Sequence, residues 1–385
     1  MKIRKAFKFK LKPTSEQRQK MAQTAGCVRL VWNKSLGAIK EELDKKEGYK
    51  GYCSMAGELK AWKKDEETKF LKCVHSQPLQ QTLKDLDRAV KDGFKKDKGF
   101  PRFKKKSHDR SFRYPQGVKL EGDCVYLPKI GWCKFQKSRE IEGLIKNTTV
   151  SFYCGHWYVS FQTEFELEIP EHKGGEIGVD MGVVSFATYS DQETAKSPRP
   201  FKKYEKKLAK EQKSLARKKK GSNRWEKQKY KVQRIHKKIA DIRKDFLHKT
   251  STSLCKSHAL IVLEDLKTSN MSKSAKGDLE NPGRNVKAKS GLNKSILDQG
   301  WFEFKRQLEY KSIWSGGKLV LVPARNTSRE CRKCHHIAKE NRKSQAVFKC
   351  VKCGHTENAD VNASCNILAA GRAVLAHGDI NSVAS

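Results

Sequence analysis

Cys331-Arg-Lys-Cys334, a spacer of fifteen residues, Cys350-Val-Lys-Cys353 and then Asp360-Val-Asn-Ala form the stretch that says most about the fold. Each C-x-x-C pair places two thiolates on one turn, and a hairpin between the pairs brings four sulfurs together, as a tetrahedral zinc site requires. We therefore predict a zinc ribbon held by Cys331, Cys334, Cys350 and Cys353. Asp360 follows closely and is predicted to open a helix of small residues, 362–371.

The charge of the chain indicates its partners. The 385 residues carry a formal net charge of +39, from 82 Lys and Arg against 43 Asp and Glu. An excess of this size attracts polyanions in a salt-dependent manner, so nucleic acid is the predicted partner. No run approaches the roughly 18 apolar residues of a membrane span, and no signal peptide opens the chain, so a membrane is not expected as a partner.

The eight cysteines outside the C-x-x-C pairs are scattered singly along the chain. Such cysteines are typical of reduced, buried thiols in a cytosolic protein, so we expect a cytoplasmic location. They are Cys27, Cys53, Cys73, Cys124, Cys133, Cys154, Cys255 and Cys365.

The first 170 residues combine strand and helix patterns. Phe7, Phe9 and Leu11 alternate with lysines and predict a strand, and Thr14-Ser-Glu-Gln17 predicts a capping box. Helices are predicted over 15–47, 56–72 and 77–94. A basic, aromatic loop, Gly99 to Lys106, precedes short strands at 118–120, 124–127, 132–135, 149–153 and 157–164. The strands predict a small barrel, and the helices an insert in it.

The rest of the chain alternates strands with basic helices. Strands are predicted over 177–188, 259–266 and 318–323, and a helix over 301–314. Residues 201–254 predict a long helical hairpin broken at Gly221, with a basic surface that faces phosphates. Residues 268–293 are rich in Ser, Gly, Asn and Lys and predict a mobile loop. Because this loop directly follows Glu264, we expect it to act as a lid.

Three carboxylates stand at unusual places. Asp180 interrupts an apolar strand, Glu264 ends another, and Asp360 begins a helix. Singly, they are equally well explained as a turn residue, an edge-strand acid and an N-cap. Together they form the pattern of RNase H-like nucleases, in which clustered carboxylates hold two Mg²⁺ ions about 4 Å apart. Gly178 and Gly182 are predicted to let the ions and a phosphate approach the backbone.

Several of these motifs occur together in one known family. The segments Gly178-Val-Asp180-Met-Gly182, Leu263-Glu264-Asp-Leu266, the four cysteines and Asn358-Ala-Asp360-Val-Asn362 resemble the TnpB family. The resemblance implies a multidomain α+β fold. Its expected domains are a wedge β-barrel (1–14 and 96–170), a helical recognition insert (15–95), a RuvC/RNase H-like α/β nuclease domain (171–325 and 359–385) and an inserted zinc ribbon that binds target nucleic acid (326–358).

The resemblance also implies a function. TnpB proteins are RNA-guided endonucleases of insertion sequences, related to type V CRISPR effectors. The expected partners are a guide RNA from the right end of the element and a double-stranded DNA target next to a short motif, with base pairing carrying the sequence information. A prokaryotic protein, monomeric on one RNA and associated with the nucleoid through DNA, is expected.

Site residues follow from the same resemblance. Asp180, Glu264 and Asp360 are expected to be catalytic and to bind Mg²⁺, and the four cysteines are expected to bind zinc. His335 departs from the glycine that many relatives have after the second cysteine, which bears on the geometry of that turn. The residues expected to contact nucleic acid are Tyr52 and Gln80, which would read the motif, and Arg102, Lys104 and Lys105.

Three other functions are compatible with parts of this pattern. A nuclease-inactive, RNA-guided DNA-binding repressor of the same family would usually lack one of the three acids. A DDE-type transposase also uses an RNase H fold and three acids, but the ribbon directly before the last Asp favours the nuclease. A zinc-ribbon RNA-binding protein without chemistry leaves the strand carboxylates unexplained.

Overall fold

The computed structural model describes residues 1–46, 48–49, 51–95, 98–106 and 110–376. The chain divides into two compact units, Met1–Leu167 and Glu168–Ser385. The predicted nuclease segment 359–385 ends outside the described residues, and the predicted barrel and insert each contain a few positions outside them.

Unit 1 combines an antiparallel sheet with α-helices. Its described elements are β1 (Lys2–Lys12), α1 (Ser15–Asp44), α2 (Tyr52–Lys64), a 3-10 turn (Lys69–Cys73), α3 (Ser76–Phe94), β2 (Ser111–Tyr114), β3 (Lys119–Glu121), β4 (Cys124–Leu127), β5 (Gly131–Phe135), β6 (Leu144–Tyr153) and β7 (His156–Glu166).

The sheet of unit 1 is built around β1. Phe7, Phe9 and Leu11 are buried while the lysines between them face outward, because successive side chains of a strand point to opposite faces. β1 pairs with β7 along most of its length and with β5 at its end. The strand order is β2-β6-β7-β1-β5-β4-β3. Within the described residues the predicted barrel is thus not closed by hydrogen bonds, since the short strands β2 and β3 remain as edges.

The helices of unit 1 mostly follow their sequence patterns. The Thr14 hydroxyl accepts a hydrogen bond from the Gln17 N–H, and the Gln17 side chain accepts one from the Thr14 N–H, which completes the predicted capping box. The prediction of one helix over 56–72 is wrong. Asp65 adopts an extended backbone conformation, so α2 ends at Lys64 and only a 3-10 turn follows.

Unit 2 contains a mixed sheet, a small hairpin and six α-helices among its described residues. Its elements are β8 (Gly175–Met181), β9 (Ala187–Tyr189), β10 (Thr194–Ala195), α4 (Pro200–Ala216), α5 (Asn223–Ser257), β11 (His258–Glu264), α6 (Thr268–Met271), α7 (Val286–Gln299), α8 (Trp301–Trp314), β12 (Lys318–Val322), a 3-10 turn (Lys339–Asn341), β13 (Val347–Lys349), β14 (Thr356–Asn358) and α9 (Ala359–Ala376).

The main sheet of unit 2 has the order β10-β9-β8-β11-β12. β8, β11 and β12 run parallel, whereas β9 is antiparallel to both of its neighbours. Strand alternation divides the core. Val179 and Leu263 pack with residues of α5 and α8 on one face, while Val262 packs with Ile367 of α9 on the other.

Helix α9 lies very close to this sheet. A Cβ atom on Gly178 would lie 2.1 Å from the Ser364 carbonyl oxygen, and one on Gly371 would lie 2.4 Å from a Val262 methyl group. The prediction that Gly178 and Gly182 leave room for a phosphate is therefore wrong. The space at Gly178 is filled by α9, and Gly182 faces the Ser185 carbonyl inside the turn between β8 and β9.

The basic helical hairpin is present as α4 and α5. The break falls at Gly221, which has a φ of +85°, a left-handed conformation that glycine adopts readily. Val232, Ile235 and Ile239 pack against Leu208 of α4, as their helical spacing predicts. Long as α5 is, neither it nor another helix in the described ranges has the apolar length needed to cross a membrane.

Two further expectations need correction. The predicted loop 268–293 contains α6 and the first half of α7, because residues 286–299 have a helical pattern that the abundance of polar residues obscured. The scattered cysteines are not all buried. Cys53 and Cys73 are exposed, since each lies on the polar side of a short helical segment.

We predict that Gly178→Ala lowers the free energy of unfolding by about 3 kcal/mol, because the added methyl group meets the backbone of α9, which cannot move aside cheaply. Urea denaturation of the two proteins measures the difference. Gly291→Ala is the control: no atom lies within 4 Å of the added carbon in α7, so it should be neutral or slightly stabilising. Equal stability of Gly178→Ala and the wild type would contradict the close packing.

Candidate active site and metal centre

Asp180 and Glu264 lie at the carboxyl ends of two neighbouring parallel strands. β8 and β11 pair in register up to the residues just before these acids. Both acids belong to the face that α9 covers, since Gly178 and Val262, two residues earlier, contact that helix. Ligand sites of open α/β sheets form at this edge, outside the carboxyl ends of the strands.

Asp360 reaches the same edge from α9. The side chain of Asn358 caps this helix, accepting hydrogen bonds from the N–H groups of Asp360 (2.9 Å) and Val361 (3.2 Å). Asp360 is therefore not the N-cap, and its carboxylate is free to face the two strand acids. The helix N-terminus also favours a negative charge at this position.

The electrostatics show that the three acids share one environment. Burial, together with the charges of Glu264 and Asp360, raises the pKa of Asp180 to about 7. Burial also raises the pKa of Glu264, which is 7% exposed. Such a concentration of carboxylates disfavours its own ionisation and favours a bound cation. The acids do not form a compact single-ion cluster, since not all their oxygens lie within 4.8 Å of one another.

Two side chains that sequence analysis missed contact these acids. The buried Thr327 hydroxyl donates a hydrogen bond to Glu264, which lowers the pKa of that carboxyl and fixes its orientation. The Arg342 guanidinium, from the segment between the cysteine pairs, donates to Asp360 Oδ1 at 3.2 Å and lowers the pKa of Asp180. Both are polar residues of the predicted ribbon segment, but their spacing in the sequence does not reveal which acid they contact.

The four predicted cysteines form one cluster. Their sulfurs all lie within 4.8 Å of one another, with 3.7 Å between Cys331 and Cys353 and 3.6 Å between Cys334 and Cys350. Four sulfurs about 2.3 Å from a tetrahedral zinc ion lie about 3.8 Å apart, so the cluster fits zinc. In the described part of the chain, it is the only group of three or more His, Cys, Asp or Glu residues this compact.

The two cysteine turns share one backbone geometry. The His335 N–H donates to the Cys331 carbonyl (2.8 Å), and the Gly354 N–H donates to the Cys350 carbonyl (3.0 Å). Both residues are left-handed, with φ of 56° at His335 and 71° at Gly354. The substitution of histidine for glycine leaves the turn intact, at a backbone cost of about 1 kcal/mol.

Buried amides attach the ribbon to the active-site helix. Asn362 donates to the Glu330 carbonyl and accepts from the Arg332 N–H, and Asn366 donates to the carbonyls of Thr327 and Glu330. The two asparagines are one turn apart on α9 and are at most 7% exposed. Two amides on the buried face of a small-residue helix are a sequence pattern that could have revealed this attachment.

Within unit 1, the motif-reading candidates share one surface. Gln80 is exposed on α3, and Lys84, one turn later, places its ammonium 5.3 Å from the Tyr52 ring centre. The Tyr52 N–H donates to Asp87 on the same helix. Tyr52 and Gln80 therefore lie near each other.

The basic loop of unit 1 is held against α1. Asn33 exchanges two hydrogen bonds with the backbone of Lys104, and the Lys104 ammonium lies 3.8 Å from the Trp32 ring centre. Arg102 and Lys105 are exposed. The three candidates therefore differ in exposure: Arg102 and Lys105 face outward, while Lys104 contacts α1.

We predict that Asp180→Asn stabilises the metal-free protein, increasingly so as pH rises from about 4 to 7. The folded-state pKa of Asp180 lies above its unfolded value, so the wild type loses stability as this carboxyl ionises, by up to about 4 kcal/mol above pH 7. Melting temperatures in EDTA between pH 4 and 8 measure the effect. A variant with no advantage at pH 8 would show that burial and the neighbouring acids do not raise the pKa of Asp180.

Three family descriptions match parts of this chain. One described as "Probable transposase" (OrfB_IS605) covers residues 160–275, "Cas12f1-like, TNB domain" covers 301–367, and "Helix-turn-helix domain" covers 1–48. The second spans α8, β12, the ribbon and the first half of α9. The third corresponds to β1 and the single long helix α1.

Relatives match the chain over nearly its full length. "Putative RNA-guided DNA endonuclease InsQ" of Escherichia coli (strain K12) is 52% identical over 99% of this chain and 95% of its own. A "Putative RNA-guided DNA endonuclease" of Streptomyces pristinaespiralis is 33% identical over 98% and 92%. A cryo-EM structure of a Cas12f1-sgRNA-target DNA complex covers 95% of this chain and 99% of its own at 16% identity, with a TM-score of 0.36, too weak a likeness to support further conclusions. On its full-length identity with these relatives, the chain belongs to the TnpB family.

Proposed function

We propose that this protein is an RNA-guided DNA endonuclease. It binds a guide RNA from the right end of its insertion sequence and cleaves double-stranded DNA next to a short motif. The observation that carries the proposal is the convergence of Asp180, Glu264 and Asp360 at one edge of the sheet, in a chain whose full-length relatives are named RNA-guided DNA endonucleases.

The nuclease domain that we propose is of the RuvC/RNase H-like type. Its support is the strand order of unit 2, in which an antiparallel meander, β8-β9-β10, is followed by two strands parallel to β8. The candidate acids stand on β8, on β11 and in the first turn of α9, which is the RNase H-like pattern that the sequence indicates. We assign residues 171–325 and 359–385 to this domain and 326–358 to the inserted ribbon, with unit 1 supplying the wedge and recognition segments.

The chemistry proposed is metal-assisted phosphodiester hydrolysis. Asp180, Glu264 and Asp360 would hold two Mg²⁺ ions, which supply Lewis-acid stabilisation for the attacking and leaving oxygens. The protein's own contribution is orientation. Thr327 fixes one carboxylate oxygen of Glu264, and Arg342 holds Asp360 at the mouth of the site.

Nucleic-acid binding is proposed to rest on backbone charge. The +39 excess, much of it on the α4–α5 hairpin, suits an RNA guide and its heteroduplex, which are recognised by shape and phosphates. Tyr52 and Gln80 remain candidates for reading the motif, and residues 268–293 for a lid. We propose that one protein molecule acts on one RNA inside a prokaryotic cell.

We propose that the cysteine cluster holds one structural zinc ion, and we predict about one zinc per purified chain. Cys334→Ser should lower both the zinc content and the melting temperature, because three thiolates do not complete a closed tetrahedral site. Elemental analysis and thermal unfolding measure these effects. Cys124→Ser, outside the cluster in unit 1, should change neither. A zinc-free wild type with unchanged stability would refute the proposal.

Cleavage tests the main proposal. Protein purified with its guide RNA should linearise a matched plasmid in Mg²⁺, and EDTA should abolish the reaction. Asp180→Asn should lower the rate at least about a hundredfold without loss of DNA binding, because it removes a metal ligand. Asp265→Asn is the matched control: this exposed acid follows Glu264 but pairs with Lys305 at 2.8 Å, so cutting should persist.

Other outcomes of the same assay identify the alternative functions. Guided binding without cutting by the wild type would indicate a nuclease-inactive repressor. A DDE-type transposase, which the description "Probable transposase" also suggests, would join DNA ends and yield strand-transfer products in place of linear plasmid. Asp180→Asn that cuts at the wild-type rate would overturn the catalytic assignment.

A further inference from the structure

A cavity of about 400 Å³ lies in unit 2, beyond the end of β8. The turn after β8, the start of α4 and the last two turns of α7 form its walls. This volume is in the range of pockets that hold small organic groups. Its lining includes Val183, Val184, Arg199, Lys202, Lys294 and Gln299.

One buried polar group in this lining is incompletely satisfied. Gln299 is 2% exposed, and its side-chain amide N–H donates to the Val183 carbonyl at 3.2 Å. This bond fixes the orientation of the amide. Its oxygen, Oε1, is buried without a hydrogen-bond partner. A buried acceptor without a donor costs free energy, which a ligand carrying an N–H group would recover.

The charge around the cavity is positive. Arg199, Lys202 and Lys294 line it, and in the described ranges no ion pair involves Lys202. Of the two acids, Asp298 is neutralised by Arg243 at 2.6 Å and by the Phe201 N–H. Glu205 is an exposed partner of Lys294 at 3.3 Å. The cavity therefore suits an anionic group at its rim.

The remaining lining can contact an apolar surface. Val184 is 61% exposed, and Phe201, also in the lining, is half-buried. Burial of such apolar side chains against a ligand is favourable in free energy. The Arg199 guanidinium donates a 2.7 Å hydrogen bond to the Val184 carbonyl. The backbone of Arg199 itself is left-handed, with a φ of 40°. Non-glycine residues keep such a conformation where the surrounding structure requires it.

One residue of the cavity lining, Val183, lies close in the chain to Asp180. Val183 follows Asp180 by three residues, so their Cα atoms lie within about 10 Å, the span of three extended residues. The next nucleotides of a strand whose phosphate is at the acids would lie within this distance. A flat base with N–H groups, attached to a phosphate, matches the apolar wall, the free acceptor and the cationic rim.

We propose that this cavity holds one unstacked nucleotide of the DNA strand being cut and so positions the neighbouring phosphate at the three acids. Gln299 accepts a hydrogen bond from the base, and Lys202 and Lys294 contact its phosphate. Every base has an N–H group on its pairing edge, so the contact tolerates any sequence. The inference rests on the proposed endonuclease function and adds a substrate-positioning site to it.

An abasic scan tests the proposal. Guide-loaded protein is given matched DNA with one base removed at a time around the cut, and cleavage rates are compared. In the wild type, removal at one position should slow cutting about tenfold, as expected for the loss of one base contact. Gln299→Met should slow cutting of intact DNA similarly and should abolish the effect of base removal at that position.

A second test variant and a control complete the experiment. The double variant Lys202→Ala, Lys294→Ala changes only exposed residues, so it should fold normally, and it should also lose the position-specific effect. Lys203→Ala, on the same helix but outside the lining, should keep that effect whatever its overall rate.

The outcomes separate the cavity from the function. Normal cutting without a position-specific effect, or an effect that survives in Gln299→Met and in the double lysine variant, overturns the nucleotide site alone. A wild type that cuts no matched DNA overturns the endonuclease function and the site together.

Discussion

The close packing of α9 on the sheet of unit 2 is the contact on which the proposed active site depends. Gly178 and Gly371 allow the helix to approach the sheet to a distance at which a single added methyl group would overlap with backbone or side-chain atoms. This contact brings Asp360, at the start of the helix, to the strand ends that carry Asp180 and Glu264. The first two acids come from neighbouring strands, and this contact joins the third acid to them.

Helix α9 connects the ribbon to the proposed active site. Asn362 and Asn366 hold the first cysteine turn on the buried side of the helix, while Arg342 extends from the ribbon to Asp360. The ribbon thus also places the Arg342 guanidinium beside the acids. Burial and the neighbouring carboxylates raise the pKa of Asp180, and this electrostatic cost is one that a cation would offset.

Much of this arrangement could be predicted from the sequence because local rules govern it. Alternation identified β1, apolar runs identified the strands that carry Asp180 and Glu264, and the spacing of the C-x-x-C pairs identified the cysteine cluster. Two of the errors have the same cause. Residue composition does not predict the conformation of a segment well where tertiary packing determines it. Polar residues concealed α7 in the predicted loop 268–293, and Gly178 suggested an open approach where a helix packs.

The sequence by itself determined the charge of the chain, the cluster of four cysteines and the three candidate acids, because each depends on residue type and short spacing. Only the tertiary structure decided that Thr327 and Arg342 contact the acids and that Gln299, with an unpaired side-chain oxygen, lines a cavity. These features join residues far apart in the chain, and the packing that brings them together depends on side-chain shape and on backbone clearances of a few tenths of an ångström, which no local pattern encodes.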